Sequence, residues 1–104
     1  MSAVSEYIYI VRPTRSDMLK TGLTPEDEQV NSEHSDYLSK LADQGVMILY
    51  GRTQTADEDT FGLVIFRAES EESAREIMEN DPAVKKGVMR ATMYPYRVAY
   101  RANH

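Results

Sequence analysis

The chain has 104 residues, of which 41% are hydrophobic and 28% are charged, and its net charge is −5. These values are typical of a single globular domain, so they exclude a fibrous or disordered class. The basic residues are scattered among an excess of acids, which argues against a nucleic-acid partner. We expect a cytoplasmic protein without a membrane partner, because no segment has the apolar length of a membrane helix or the pattern of a signal peptide.

Chemistry that depends on cysteine is excluded, because the chain has none. Disulfide frameworks, thiolate metal sites and cysteine nucleophiles are therefore absent. The two histidines, His34 and His104, could hold a transition metal only with carboxylates as the other ligands, so no metal site is expected. No flavin, nucleotide or haem signature is present, and we expect no cofactor.

The first predicted element is a strand at residues 4–12, which is rich in β-branched and aromatic side chains and is followed by Pro13. Tyr7 and Tyr9 fall on one face and Ile8 on the other. Both faces of the strand are therefore apolar, and each is expected to pack against another part of the protein or a partner. Residues 13–23 show no period and predict a loop. A loop of this length either covers a site or is a variable surface connection.

A helix is predicted at residues 25–44, with Thr24 as its N-cap, Pro25 at its first position and Gly45 as a left-handed cap after its end. Apolar residues recur along it at helical spacing and form one buried stripe. His34 lies in the middle of that stripe. Its side chain is therefore predicted to face inward.

The rest of the chain predicts two strands, a helix, a helical turn and a last strand. The two strands are residues 46–52 and 60–68, joined by a polar, acidic loop. Ser70 caps the next helix, which ends before Pro82, and a helical turn at 82–86 can be capped by Asp81 and closed by Gly87. The last strand is predicted at 88–100, with an interruption or kink at Pro95.

The order β-α-β-β-α-β predicts an α+β fold of the ferredoxin-like kind, with a four-stranded antiparallel sheet and both helices on one face. The opposite face would then be bare. Because the strands are apolar on both sides, that face is expected to pack against a second copy of the chain. The sequence thus predicts a homodimer.

Three segments together resemble the YCII-related proteins: the run from His34 to Leu38 followed by Gly45 and Gly51, the run from Asp81 to Val88, and Tyr94-Pro95-Tyr96. The resemblance extends over residues 4–100, and it implies a dimeric α+β barrel, a fold shared with muconolactone isomerase and related small enzymes and oxygenases. One departure is Arg52, where many members have proline; if this residue lines the pocket, ligand preference differs.

The resemblance also implies a site in which Asp81 orients His34 for proton transfer on a small aromatic or lactone-like molecule, as in a lyase, isomerase or dehydrochlorinase. An imidazole is suited to acid-base work near neutral pH. The predicted substrate-binding residues are three tyrosines as pocket walls and two arginines as anchors for an anionic group: Tyr7, Tyr9, Tyr37, Arg12 and Arg52.

Two other interpretations remain open. His34 could simply fill the core while hydrogen-bonded to Asp81 or to a backbone carbonyl, and the tyrosines could be core and interface residues. Besides an enzyme, the domain could be a small-molecule binding module that uses the same pocket without turnover, or a dimeric partner domain for another enzyme. A cavity that touches His34 favours an enzyme or a binding module, whereas a filled core favours a partner domain.

Overall fold

A computed structural model describes residues 5–14, 24–55 and 59–102. The element order confirms the predicted ferredoxin-like α+β fold, with one short helix before the last strand. The elements are β1 Ser5–Pro13, α1 Pro25–Asp43, β2 Met47–Arg52, β3 Gly62–Ala68, α2 Glu71–Glu79, α3 Pro82–Lys85 and β4 Met89–Tyr96. Most of the predicted loop at 13–23 and part of the acidic loop at 53–59 lie outside the described residues, at 15–23 and 56–58.

The four strands form one antiparallel sheet in the order β2-β3-β1-β4, so β1 and β3 are central and β2 and β4 are the edges. One face of the sheet packs against both long helices. The shared core contains Tyr7, Tyr9, Val11, Leu38, Leu41, Val64, Phe66, Ala68, Ala74 and Met78. Because side chains alternate along a strand, odd-numbered residues of β1 and even-numbered residues of β3 supply this core.

The opposite face, called here the outer face, carries a row of four apolar side chains that are paired directly across the sheet. In strand order the row is Leu49, Ile65, Ile8 and Tyr94. Ile8 and Ile65 on the central strands are buried, whereas Leu49 and Tyr94 on the edges are 50% and 51% exposed. No helix among the described residues covers this row. Among the described residues, the two-sided apolar pattern of the strands therefore leaves an apolar band without a helix over it, and its two ends are about half exposed.

The first helix begins and ends where local signals predicted. The Thr24 hydroxyl accepts a hydrogen bond from the Asp27 backbone N–H at 3.1 Å, and the Asp27 carboxylate accepts one from the Thr24 N–H at 3.2 Å. This reciprocal pair is a capping box, which satisfies two donors that the first turn leaves free. Gly45 follows the helix with a φ of +76°, a conformation that glycine adopts without a Cβ penalty.

The last strand is shorter than predicted. It continues through Pro95 without interruption and ends at Tyr96, whereas the sequence predicted a strand to residue 100. Proline is tolerated at this position because β4 is an edge strand. Tyr96 pairs with Glu6, near the start of β1, so the chain beyond it has little partner strand left. The Val98 N–H donates instead to the Glu6 carboxylate at 2.9 Å.

Within the described ranges, no helix has both the length and the apolar character needed to cross a membrane.

Candidate active site

The carboxylate of Asp81 is the centre of a buried hydrogen-bond cluster. The residue is 0% exposed and lies directly before α3. Its Oδ1 accepts the backbone N–H of Ala83 at 3.0 Å, which makes Asp81 the N-cap of that short helix, as predicted. Its Oδ2 accepts the hydroxyl of Tyr9 at 2.7 Å. Apart from its contact with His34, the carboxylate thus accepts one hydrogen bond on each of its two oxygens.

The imidazole of His34 completes the cluster. Its Nδ1 lies 2.7 Å from Asp81 Oδ1, and its side chain is 15% exposed. A carboxylate is an acceptor, so Nδ1 carries the proton of the neutral ring and Nε2 presents its lone pair. Nε2 makes no hydrogen bond to the residues that the structure describes. One nitrogen of the ring is therefore fixed by Asp81, and the other is available to a ligand.

Burial keeps the neighbouring tyrosines protonated. Desolvation raises the pKa of the Tyr9 hydroxyl far above its ordinary value, and the negative charge of Asp81 raises it further. Desolvation, followed by the charge of Asp81, also raises the pKa of Tyr37 to about 12. The Tyr37 hydroxyl donates to the backbone carbonyl of Ile77 at 2.7 Å, which ties α1 to α2. The Tyr9 hydroxyl, whose pKa is raised, therefore stays protonated and donates to Asp81 at pH values where an exposed tyrosine ionises.

A cavity of about 550 Å³ adjoins His34 between α1, the β2–β3 end of the sheet and the start of β4. The described residues that line it are Val11, Pro13, Asn31, His34, Ser35, Leu38, Tyr50, Gly51, Arg52, Thr60, Phe61, Gly62, Leu63, Val64, Val88 and Met89. Most of this wall is apolar, and Arg52 is the one permanently charged residue among them. A cavity of this size and character suits a small, mainly apolar ligand with a few polar groups.

Gly62, one of the lining residues, is packed too closely to carry a side chain. A Cβ built on this residue would lie 3.2 Å from the Gly51 carbonyl oxygen and 3.2 Å from a methyl group of Val11. Both contacts are tight, so a larger residue at position 62 would force its neighbours to shift. A second cavity, of about 670 Å³, lies near the N-terminal end of α1, and its described lining residues include neither His34 nor Asp81.

The structure brings three of the seven predicted site residues together around this cavity. His34 and Arg52 line it, whereas Asp81 does not line it but is hydrogen-bonded to the His34 imidazole. Four others, Tyr7, Tyr9, Tyr37 and Arg12, do not line it. Tyr7 and Tyr9 are in the core beneath the helices, and Tyr37 faces α2.

Arg12 points away from the site because it alternates with the cavity-lining residues Val11 and Pro13. Its guanidinium lies 5.0 Å from the centre of the Phe61 ring, where it makes a cation–π contact. Of the two predicted anchors, Arg52 lines the cavity and Arg12 does not, and Arg52 lies on the same side of the sheet as Tyr50 and the helices.

Several residues that line the cavity were not predicted from the sequence as site residues. Asn31 and Ser35 flank His34 on α1 at positions −3 and +1, and Tyr50 precedes Arg52 by two residues on β2. Helical spacing around His34 would have found Asn31, because residues three apart share a helix face. Alternation along β2 would have found Tyr50 in the same way. The contribution of Thr60 and Phe61 depends on tertiary packing and has no local signal.

Within the described residues, no three side chains of the His, Asp and Glu types are gathered as a metal ion would require.

The YCII-related domain matches residues 7–95 of the chain, which include all three helices, β2 and β3 in full and most of β1 and β4. The chain belongs to this family. No curated protein matches it. The matched range of this YCII-related protein contains the histidine helix and the Asp-Pro turn, and it ends at Pro95 within the aromatic-proline-aromatic segment.

Several solved structures are similar to this YCII-related protein, and the first two named here share its fold. The 5-chloro-2-hydroxyhydroquinone dehydrochlorinase of Burkholderia phenoliruptrix, in complex with 2,5-dihydroxybenzoquinone, is 22% identical, with a TM-score of 0.62 over 88% of this chain and 93% of that one. An uncharacterized protein from Thermotoga maritima is 11% identical, with a TM-score of 0.58 over 91% and 100% of the two chains. A dimeric ferredoxin-like protein from an uncultured marine organism is 12% identical, with a TM-score of 0.49 over 98% and 100%.

Proposed function

We propose that this protein is a cofactor-free lyase or isomerase in which His34 transfers a proton to or from a small aromatic or lactone-like substrate. The observation that carries the proposal is the contact of 2.7 Å between His34 Nδ1 and the buried Asp81 carboxylate, beside a cavity of about 550 Å³. A fixed imidazole with one free nitrogen is the arrangement that general acid-base catalysis requires.

The proposed reaction needs no oxidant or reductant. His34 Nε2 takes a proton from an acidic O–H or C–H group, and the electron pair that remains is delocalised over the substrate. In a lyase reaction that pair expels an anion such as chloride, so the elements of an acid HX are lost overall. In an isomerase reaction the imidazolium returns the same proton to another carbon. Asp81 stabilises the imidazolium in both cases, because the transferred proton gives the ring a positive charge.

The wall of the cavity supports an anionic intermediate. Arg52 is the permanently charged residue among the described lining residues, and its guanidinium can pair with a phenolate, enolate or carboxylate oxygen. The remaining wall is largely apolar, which suits an aromatic ring. The fold shared with the Burkholderia dehydrochlorinase is in keeping with a hydroxylated ring that loses chloride, although at 22% identity the likeness establishes the fold alone.

We also propose that two copies pair through the outer face. The row of Leu49, Ile65, Ile8 and Tyr94 is apolar, no helix among the described residues covers it, and its edge residues Leu49 and Tyr94 are half exposed. A face of this kind packs well against a symmetry-related copy of itself. Because the cavity lies on the other side of the sheet, this pairing leaves it open.

The first test is proton exchange in D₂O, followed by NMR, on a panel of chlorinated hydroquinones, phenols and unsaturated lactones, with chloride release measured in parallel. Wild-type protein is expected to exchange or eliminate at least one compound, and His34→Gln should reduce that rate by about 10² to 10⁴. His104→Gln replaces the other histidine and is the matched control, expected to leave the rate unchanged. Full activity in His34→Gln would remove His34 from the reaction.

A further inference from the structure

Tyr50 contributes a large aromatic side chain to the wall of the cavity and is nevertheless 44% exposed in the single chain. It lies on β2 and pairs with the core residue Val64, so its ring is on the side of the sheet that faces the helices. Its hydroxyl makes no hydrogen bond to the residues that the structure describes. Tyr9, by contrast, is 0% exposed. Tyr50 therefore offers a ring face that a ligand in the cavity can cover.

Arg52 lies two residues further along β2, on the same side of the sheet and about 7 Å away along the strand. It is exposed, and its one hydrogen bond among the described residues runs from Nε to the Thr53 carbonyl at 3.4 Å. No aspartate or glutamate is among the described residues that line the cavity. The guanidinium charge thus has no partner in this wall, and the terminal nitrogens are available to an anion.

The opposite wall, on α1, is less suited to an anion. The buried Asp81 carboxylate lies directly behind the His34 imidazole, and its negative charge repels a second one. A charged ligand is therefore expected to turn its anionic group toward Arg52 and an uncharged O–H or C–H group toward His34. Its ring then lies beside Tyr50, which precedes Arg52 on the same strand.

We infer that Tyr50 and Arg52 together select the substrate, which is a planar aromatic ring that carries an anionic group. The ring stacks on Tyr50, and the anionic group, a carboxylate or phenolate, pairs with Arg52. This inference rests on the proposed function of His34 and narrows its substrate class to aromatic anions, which leaves out uncharged lactones. Stacked aromatic pairs gain more than apolar burial alone provides, so a saturated ring of similar size binds more weakly.

The test is a set of dissociation constants from NMR titration at neutral pH, which need no turnover. Benzoate has both the aromatic ring and the charge, cyclohexanecarboxylate has the charge without the aromatic ring, and benzamide has the ring without the charge. We expect wild type to bind benzoate about 2- to 10-fold more tightly than cyclohexanecarboxylate. The preference for benzoate over benzamide should be about 3- to 30-fold.

Variants of the two residues should separate these preferences. Tyr50→Leu should bring the ring preference close to one and leave the charge preference unchanged, whereas Tyr50→Phe keeps the ring and should retain both. Arg52→Gln should remove only the charge preference. Tyr100→Leu replaces a tyrosine that is 86% exposed and does not line the cavity, so this control should behave like wild type.

A ring preference that survives in Tyr50→Leu, or a charge preference that survives in Arg52→Gln, would overturn the inference. So would the lack of either preference in wild type, or a failure of benzoate to bind at millimolar concentration. A further measurement needs no variant. The ring protons of bound benzoate should show nuclear Overhauser contacts to the Tyr50 ring in wild type, and their absence would also count against stacking.

The two proposals fail separately. His34→Gln should abolish exchange while both binding preferences remain. Exchange that depends on His34 without these preferences would contradict only the roles of Tyr50 and Arg52. Preferences that depend on Tyr50 and Arg52, in a protein that exchanges nothing, would contradict only the role of His34.

Discussion

Asp81 Oδ1 accepts two hydrogen bonds, one from His34 Nδ1 at 2.7 Å and one from the backbone N–H of Ala83 at 3.0 Å. The sequence left open whether Asp81 is a partner of the histidine or only a helix cap, and the structure shows that one oxygen is both. The orientation of the imidazole is thereby tied to the start of α3.

Asp81→Asn separates the two tasks. Asparagine caps helices as well as aspartate, so the Ala83 N–H can keep its acceptor. The negative charge that stabilises the imidazolium is lost, and we expect turnover to fall by about 10- to 10⁴-fold. Rates are compared with those of Asp36→Asn, an exposed change on α1 that should have no effect. A fully active Asp81→Asn protein would mean that the carboxylate acts only as a cap.

Tyr9→Phe removes the hydroxyl that donates to Asp81 Oδ2 across 72 residues of sequence. The oxygen that remains is buried and loses a partner, so the free energy of unfolding should fall by about 1–3 kcal/mol. Urea unfolding measures the change. Tyr100→Phe serves as the control, because that side chain is 86% exposed and should leave the midpoint where it is. Equal stability of Tyr9→Phe and wild type would contradict the importance of this bond.

Stability should decrease at alkaline pH because of the same hydroxyl. Folding raises the pKa of Tyr9 and, to about 12, that of Tyr37. Both groups therefore contribute fully below the unfolded tyrosine value of about 10, and that contribution declines as the pH rises above it, since the unfolded chain ionises first. Urea midpoints between pH 8 and 11.5 should show the decline, with a shallower slope in Tyr9→Phe. Identical slopes in wild type and Tyr9→Phe would show that the Tyr9 hydroxyl does not contribute to the decline.

Thr24→Ala should destabilise the helix that carries His34. The substitution removes the hydroxyl that accepts from Asp27 and breaks the capping box. The expected loss is about 1 kcal/mol in the free energy of unfolding, measured in urea. Thr24→Ser keeps the hydroxyl and should retain most of the stability. If alanine and serine behave alike, the cap contributes nothing at this position.

Leu49→Asp tests the proposed pairing through the outer face. Leu49 is 50% exposed in the single chain, so an aspartate there should leave the fold of one copy intact. In a dimer it would bury an unpaired charge beside Ile65, which is strongly unfavourable. Sedimentation at micromolar concentration should show a wild-type dimer and a folded Leu49→Asp monomer. Ser39→Asp, on the exposed side of α1, should remain dimeric, and a wild-type monomer would contradict the pairing.

The sequence predicted those features that depend on neighbouring residues. The capping of α1 by Thr24, and the glycine after it, are local and were read correctly. The hydrogen bond from Tyr9 to Asp81 could not be predicted from the sequence, since it depends on how β1 packs against the residue that precedes α3. The end of β4 was also missed, because a strand stops where its partner does, and β1 pairs with β4 only as far as Glu6 and Tyr96.

The placement of Arg12 illustrates a different limit. Alternation puts it on the face of Ile8, opposite to Tyr9, so the two could not share one pocket. That conflict was visible in the sequence. Arg52 was assigned to the pocket only as one of two candidate anchors, and its position on the cavity side follows from its register with Gly62.

Because side chains alternate along β1 and β3, these strands should tolerate substitutions better than insertions or deletions. Tyr9 and Val64 face the core beneath the helices, while their neighbours Ile8 and Ile65 face outward, so alternate residues of the same strands form two different surfaces. Point substitutions can alter either surface without the other. A deletion or insertion of one residue exchanges them, placing an aliphatic side chain opposite Asp81 and a phenol on the outside. During evolution, the lengths of β1 and β3 are therefore expected to change far less than the types of residue in them.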